Sequence, residues 1–266
     1  MPTPELTSVD GEVIETARAL IPAADDGLRR GDGVFEVIRL YTGHPFALEE
    51  HLDRMERSAA AIELPIDRAS FEGEIEGLLE RFGQHDGQLR LIATRGGRRL
   101  AFTEPLPPIG ETISVAAVTY APSVILTGVK SISYAANMQA TRIAQARGAE
   151  EAILIRPDGI VLEAPTSSVF WVSPEGGLLT PALDTGILES ITRARVAREL
   201  HVAEGAYPVQ DLLGAHEAFL ASTTREVQPI SAIDGRKLPQ CPGPRTTEAM
   251  KGFARALERG LGWVPS

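Results

Sequence analysis

Residues 152–181 hold two strand–turn–strand patterns in succession, and this block constrains the fold more than any other stretch. AILI and IVLEA flank Pro157-Asp158-Gly159, and SVFWV and LLTP flank Pro174-Glu175-Gly176-Gly177. Short apolar runs rich in β-branched and aromatic residues, punctuated by such turns, pair as hairpins. Just upstream, Ala135 to Arg147 has helical spacing and stops at Gly148, which suits a left-handed cap. Helices interleaved with turn-linked strands predict an α+β fold.

The rest of the chain extends this pattern. Glu12 to Glu15 reads as a short strand after the turn-prone Asp10-Gly11. A polar stretch, AADDGLRRGDG, leads into the strand-like VFEVIRLY, a Thr42-Gly43-His44 turn and a return strand at Pro45 to Leu48. Gly31-Asp32-Gly33 is no dinucleotide fingerprint, because it runs into a strand and lacks the third glycine. Glu49 to Leu64 is expected as a helix stopped by Pro65, and Ser70 to Phe82 as a second with Ser70 as N-cap. GQLRLIATRGG and Thr112 to Tyr120 read as strands of the same first portion. The expected division is a small N-terminal α/β domain over 1–120, a linker at 121–124 and a larger C-terminal domain over 125–266. In the latter, Ile191 to Leu200 should be a helix started by Ser190 or Thr192. HEAFLAST should be a strand entering the turn STTRE, and Pro244 to Leu261 a final amphipathic helix. Trp171 and Trp263 are expected as packing groups.

Charge and cysteine content narrow the function classes. A net charge of −10 disfavours a nucleic-acid or anionic-membrane partner. One cysteine, Cys241, permits no internal disulfide, and the N-terminus carries no basic segment followed by an apolar core. A reducing cytoplasm is therefore the expected compartment, and no membrane partner is expected.

The chemistry-bearing residues cluster near the hairpins. Only three lysines occur, Lys130, Lys237 and Lys251, against 23 arginines. Arginine stays charged and is a poor nucleophile, whereas a desolvated lysine can lose its proton and attack a carbonyl. The ordinary reading of a single lysine is a snorkelling surface side chain. Lys130, however, precedes Tyr134 by four residues, and Glu163 lies in the second strand of the first hairpin. An amine, a phenol and a carboxylate are what pyridoxal phosphate (PLP) requires: a Schiff-base partner, a contact for the ring hydroxyl and a carboxylate for the pyridine nitrogen. Its phosphate would need a helix start, hydroxyls and an arginine. Ile191-Thr192, Ser222-Thr223-Thr224 and Arg54 offer these, though the ordinary reading of each alone is a cap, a turn and a solvated charge.

Several ordered motifs together carry a resemblance. GDGVFEVIRLYTGHPFALEEHLDRMERSA, VKSISYAANMQATRIAQARGAEEAIL, DGIVLEAPTSSVFWV, LLTP, GILESITR and STTREVQPI span roughly Gly27 to Gly235. In them the chain resembles the fold-type IV, class IV PLP-dependent aminotransferases. That group includes branched-chain and D-amino-acid aminotransferases, (R)-selective amine transaminases and aminodeoxychorismate lyases. The resemblance implies a two-domain fold with a barrel-like sheet in the larger domain, the cofactor between the domains, and a homodimer. It implies Lys130 as the Schiff-base lysine and Glu163 as the partner of the pyridine nitrogen. Tyr134 would contact the ring hydroxyl, and Arg54, Ile191, Thr192, Thr223 and Thr224 the phosphate. Leu188 would pack on the ring. Three positions depart from the pattern: Ser190 replaces a glycine, Ser168 an asparagine, and Phe35 a tyrosine of the D-specific enzymes.

For substrate, Phe35, Arg39, Arg90 and Arg98 are candidate contacts, with surface ion pairs the ordinary alternative for each arginine. Alternation puts Phe35, Val37, Arg39 and Tyr41 on one strand face and Glu36, Ile38 and Leu40 on the other. The implied activity is transamination between an aliphatic, branched-chain-like L-amino acid and a 2-oxo acid such as 2-oxoglutarate. Aminodeoxychorismate lyase and D-amino-acid or (R)-amine transaminase are the alternatives.

Overall fold

The computed structural model describes residues 3–262. The chain divides into two compact units. The first comprises the residues up to Pro108, Val129–Tyr134 and the chain from Leu257 onward; the second comprises Ile109–Gly128 and Ala135–Ala256.

The first unit is built on six antiparallel strands: β1 Leu6–Val9, β2 Glu12–Glu15, β3 Gly33–Tyr41, β4 His44–Pro45, β5 Gly87–Thr94 and β6 Arg99–Glu104. Their order is β2-β1-β6-β5-β3-β4. It also holds helices α1 Asp26–Arg30, α2 Leu48–Ala61 and α3 Arg68–Phe82. Strand alternation sends Val34, Ile38 and Leu40 of β3 and Leu89 and Leu91 of β5 into a core closed by Leu52, Met55 and Ala59 of α2 and Phe71, Ile75 and Leu78 of α3. The expected return strand is only two residues long, because α2 already begins at Leu48. That helix ends at Ala61, and Glu63 takes a left-handed φ of 52° two residues before Pro65, which disfavours helix in its predecessor. The cap of α3 is Asp67 rather than Ser70: its carboxylate accepts the Ser70 amide at 3.2 Å and the Ser70 hydroxyl at 2.7 Å.

The second unit carries β7 Ile113–Thr119, β8 Glu151–Ile155, β9 Ser168–Val172, β10 Leu178–Pro181, β11 Ala203–Gly205, β12 Glu217–Ser222, β13 Glu226–Ile233 and β14 Arg236–Lys237. They form a mixed eight-stranded sheet in the order β11-β10-β9-β12-β13-β7-β8, with β14 on β13. The strand expected over Thr112 to Tyr120 thus joins this sheet as β7, parallel to both β8 and β13. Helix α4 Ala135–Ala146 packs on β7 and β8 and ends before Gly148 at φ 84°. Helix α5 Ile191–Glu199 packs on β12. Helix α6 is Val209–Leu213, and α7 Pro244–Leu261 begins where Glu217 accepts the Arg245 and Thr246 amides at 3.0 and 2.8 Å.

The second expected hairpin is present: Leu178 pairs with Val172 across β10 and β9. The first is a shorter pairing, with one bridge from Ile155 to Val161 and backbone hydrogen bonds from Leu162 to Leu154 and from Leu154 to the Glu163 carbonyl, so Glu163 lies just past regular strand. Trp171 is fully buried, edge-on to Tyr207; Trp263 lies outside the described residues. Among the described residues, no helix is long and apolar enough to cross a membrane.

Candidate active site

Lys130 is held by its backbone against β3. The Phe35 amide donates to the Lys130 carbonyl at 3.0 Å, the Ile132 amide to the Gly33 carbonyl at 3.0 Å, and Val34 bridges Ser131. Gly33 permits this approach, since a Cβ there would meet Ile132 Cδ1 at 2.9 Å and the Ala93 carbonyl at 2.4 Å. The Lys130 amide itself donates to Ser58 Oγ of α2 at 3.2 Å. Lys130 is half-buried rather than fully buried, while Lys237 and Lys251 are exposed. Its amine lies 4.4 Å from the Phe35 ring centroid. The Tyr134 ring meets Phe35 edge-on at 5.3 Å, and the Arg90 guanidinium stands 6.0 Å from the same ring. Phe35 therefore gathers the lysine, the phenol and one candidate substrate arginine.

The other face of β3 carries Glu36, fully buried, opposite α2. Arg54 Nε and Nη2 donate to its two oxygens at 2.7 Å each, and His51 Nδ1 lies 2.8 Å from Oε2. Burial alone would raise the Glu36 carboxyl; the Arg54 charge and the hydrogen bonds from Arg54 and His51 overcome it and hold it at about 2. Burial pushes His51 below its usual range, against the opposing pull of Glu36, so the imidazole is neutral at pH 7 and donates through Nδ1–H. Sequence reasoning missed Glu36 and His51. The available signal was a carboxylate on the core-facing side of β3, with His51 and Arg54 three residues apart on one helix face.

The remaining candidate arginines are paired. Arg90 Nε and Nη2 contact the Glu104 carboxylate at 3.0–3.1 Å. Arg98 pairs with Asp10, and its neighbour Arg99 pairs with Glu74 at 2.8 Å. The Arg39 guanidinium lies 5.0 Å from the Tyr41 ring centroid.

In the second unit, Glu163 and Leu188 meet: the Leu188 amide donates to Glu163 Oε1 at 3.1 Å. The Glu163 carbonyl accepts the Leu154 amide at 2.8 Å, which fixes the loop to β8. Burial and the Glu163 charge raise the Tyr120 phenol, which thus stays protonated. Ile191 and Thr192 are buried at the start of α5. Ser190 is the cap, accepting the Arg193 amide at 3.2 Å, which gives a physical role to the serine that replaces glycine. The Ser167 and Ser168 hydroxyls are buried with no hydrogen-bond partner among the described residues. Thr223 and Thr224 occupy the β12–β13 turn, where Ser222 Oγ accepts the Arg225 amide at 3.2 Å. Arg225 ties that turn to Gln228 at 2.7 Å and to the buried Glu151 at 3.2 Å. Arg225 and Glu151 were also missed, because β8 and the turn lie about 75 residues apart in sequence.

PLP requires an amine for its aldehyde, a carboxylate for its ring nitrogen and donors for its phosphate. The chain carries each type: the Lys130 amine beside an aromatic ring, the Glu163 carboxylate oriented by a backbone amide, and the Arg54 guanidinium with the hydroxyls of Thr192, Thr223 and Thr224. The donor set fits the group.

Comparison with known proteins agrees. Residues 33–233 match the amino-transferase class IV family. The D-alanine aminotransferase of Bacillus licheniformis is 35% identical over 276 residues, covering 95% of each chain. A hypothetical aminotransferase from Mycobacterium tuberculosis, solved in a PLP-bound form, superposes with a TM-score of 0.86 at 27% identity over 95% of this chain and 98% of its own. The branched-chain aminotransferase of the thermophilic archaeon Thermoproteus uzoniensis, solved with norvaline, gives a TM-score of 0.87 at 28% identity over 97% of each. The fold expected from the sequence motifs is therefore the one present, and the chain belongs to the class IV aminotransferases, whose cofactor is pyridoxal phosphate.

Proposed function

We propose that this aminotransferase moves an amino group between an aliphatic, branched-chain-like L-amino acid and a 2-oxo acid such as 2-oxoglutarate. The observation that carries the reading is the Phe35 ring, which contacts Lys130, Tyr134 and Arg90. It gives the reactive amine an apolar wall with no hydroxyl of its own, beside an Arg90 guanidinium that is held by Glu104. By resemblance, Phe35 also stands where D-specific enzymes carry a tyrosine. Homodimeric assembly and a cytoplasmic location complete the proposal, supported by the family resemblance and by the single cysteine.

Bound PLP supplies an electron sink that stabilises negative charge on the carbon that loses its proton. Lys130 would anchor the cofactor covalently, and its amine, when free, would carry the proton at the substrate α-carbon. Glu163, with one oxygen held by the Leu188 amide, keeps the ring nitrogen protonated. Tyr134 and Leu188 would help hold the ring, Tyr134 through its phenol and Leu188 through its apolar side chain. Arg54, Ile191, Thr192, Thr223 and Thr224 bind the phosphate through the guanidinium, amides and hydroxyls. Phe35 and Arg39 would line the substrate face, and Arg90 and Arg98 would join it by exchanging Glu104 and Asp10 for a substrate carboxylate.

A second reading, a D-alanine-type donor, is favoured by the 35% identical relative. Single-turnover spectroscopy with a panel of donors separates the readings. Conversion of the cofactor to its amine form by L-leucine or L-valine supports the first, and by D-alanine or (R)-phenylethylamine the second. Pyruvate release from aminodeoxychorismate without any keto acid would replace both with a lyase.

A further inference from the structure

Strand β13 ends at Ile233, which pairs with Val115, so β7 runs on past the end of this neighbour. Two side chains take the strand's place at Ala117. Asp234 Oδ1 accepts the Ala117 amide at 2.9 Å, and Arg147 Nη1 donates to the Ala117 carbonyl at 3.0 Å. A carboxylate and a guanidinium are thereby moored to a single residue of a single strand. Asp234 is fixed further by its own amide, which donates to the Val115 carbonyl at 2.9 Å. Its φ is 49°, a left-handed conformation that Asp tolerates better than most residues.

Both side chains line one cavity of about 230 Å³ in the second unit. A water molecule takes about 30 Å³ of the liquid, so the space can hold several waters or one small solute. The wall between the charges is small and apolar, with Ala116 and Ala149. Gly148 and Gly235 border open space, since a Cβ on either would meet nothing within 4 Å. Opposite charges facing one cavity would gain by pairing. Arg147 and Asp234 nonetheless form no ion pair with each other. Among the described residues, their side chains make no bond beyond those to Ala117. Their moorings hold them apart, with one oxygen of Asp234 and most of the Arg147 donors uncommitted.

A guanidinium alone would suit an anion, and a carboxylate alone a cation. The two together, separated across a small apolar floor, suit a molecule that carries both charges on neighbouring atoms. We propose that this cavity is a second amino-acid site, which binds a small aliphatic α-amino acid noncovalently, its carboxylate on Arg147 and its ammonium on Asp234. None of the cavity residues is among those assigned to the cofactor or the substrate above. The proposal therefore stands whichever amino donor the enzyme uses, and an aminotransferase works among such zwitterions.

The test uses the PLP-loaded protein after borohydride reduction, so that no ligand can bond covalently to the cofactor. The probe is labelled 2-aminoisobutyrate, which has no α-hydrogen to lose and no handedness, and binding is read by equilibrium dialysis. Saturable binding with a dissociation constant in the millimolar range is expected. Asp234→Asn keeps an acceptor for the Ala117 amide and tolerates the left-handed backbone, so it preserves the fold. It should weaken binding by about tenfold or more, the scale of one charge-assisted hydrogen bond. Arg147→Gln should do the same. Isobutyrate lacks the ammonium and isopropylamine lacks the carboxylate, so each should compete about tenfold less well than unlabelled 2-aminoisobutyrate. Absence of saturable binding overturns the proposal. Unchanged affinity in either variant also overturns it, because the ligand then lies elsewhere or uses one end only. Isobutyrate competing as well as the amino acid would reduce the cavity to a plain anion site and overturn it too.

Discussion

Helix α2 shows two faces with similar chemistry and different consequences. Its buried face carries His51 and Arg54, tied to Glu36, and Ser58, tied to the Lys130 backbone. Its outer face carries Glu49, Asp53 and Glu56, which together with Glu72 of α3 surround Arg68 at 2.6–2.8 Å. Counted as ion pairs, the outer face is richer, and the hydrogen bonds that Arg68 donates to Asp53, Glu72 and Glu56 push its guanidinium upward. Yet those carboxylates are 44–74% exposed, whereas Glu36 is 0% and Arg54 7% exposed at their side chains. Water and salt screen the first set and not the second. Exposure, rather than the number of partners, decides which face the fold and the site depend on.

The comparison can be broken in four ways, in falling order of effect. Glu36→Ala leaves a buried guanidinium without its counter-charge and should cost about 3–5 kcal/mol in chemical denaturation. A loss under about 1 kcal/mol would put Glu36 on a par with the outer face. Acid provides the second route. Glu36 is ionised in the folded protein down to about 2, whereas its ordinary value is 4.5. Between those pH values the unfolded chain binds a proton that the folded chain does not, so stability falls as pH drops through that window. The loss should be on the order of 3 kcal/mol and should disappear in Glu36→Gln. Ser58→Ala removes one bond to the Lys130 amide and should cost roughly 1 kcal/mol. Arg68→Ala, despite four carboxylate partners, should cost less than about 1 kcal/mol, and the difference should shrink in 1 M salt. A salt-insensitive loss of several kcal/mol there would contradict the ranking.

What the sequence made legible was local or carried by ordered motifs. Helix α7 runs from Pro244 to Leu261 as its apolar spacing predicts, and the β9–β10 hairpin sits around its Pro-Glu-Gly-Gly turn. Pairings between distant strands were not legible. Nothing within Ile113–Thr119 says that it should lie beside Glu151–Ile155 rather than follow the strands before it. The site follows the same rule. Lys130, Tyr134 and Glu163 stand out by residue type and spacing, and the motif resemblance supplied Arg54 and Leu188. Glu36 and His51 escaped because their meaning lies in a contact between a strand and a helix 15–18 residues apart. The Asp67 cap was displaced to Ser70 for a simpler reason: both residues suit a helix start, and only the backbone distinguishes them.

The central claim, that Lys130 is the covalent anchor of the cofactor, is open to one direct measurement. The PLP-loaded protein is reduced with borohydride, digested and mapped by mass spectrometry. The account predicts the pyridoxyl mass on Lys130 alone among the three lysines, and its absence in Lys130→Ala. Label on Lys237 or Lys251, or an unmodified Lys130 in protein that retains the cofactor, would contradict it.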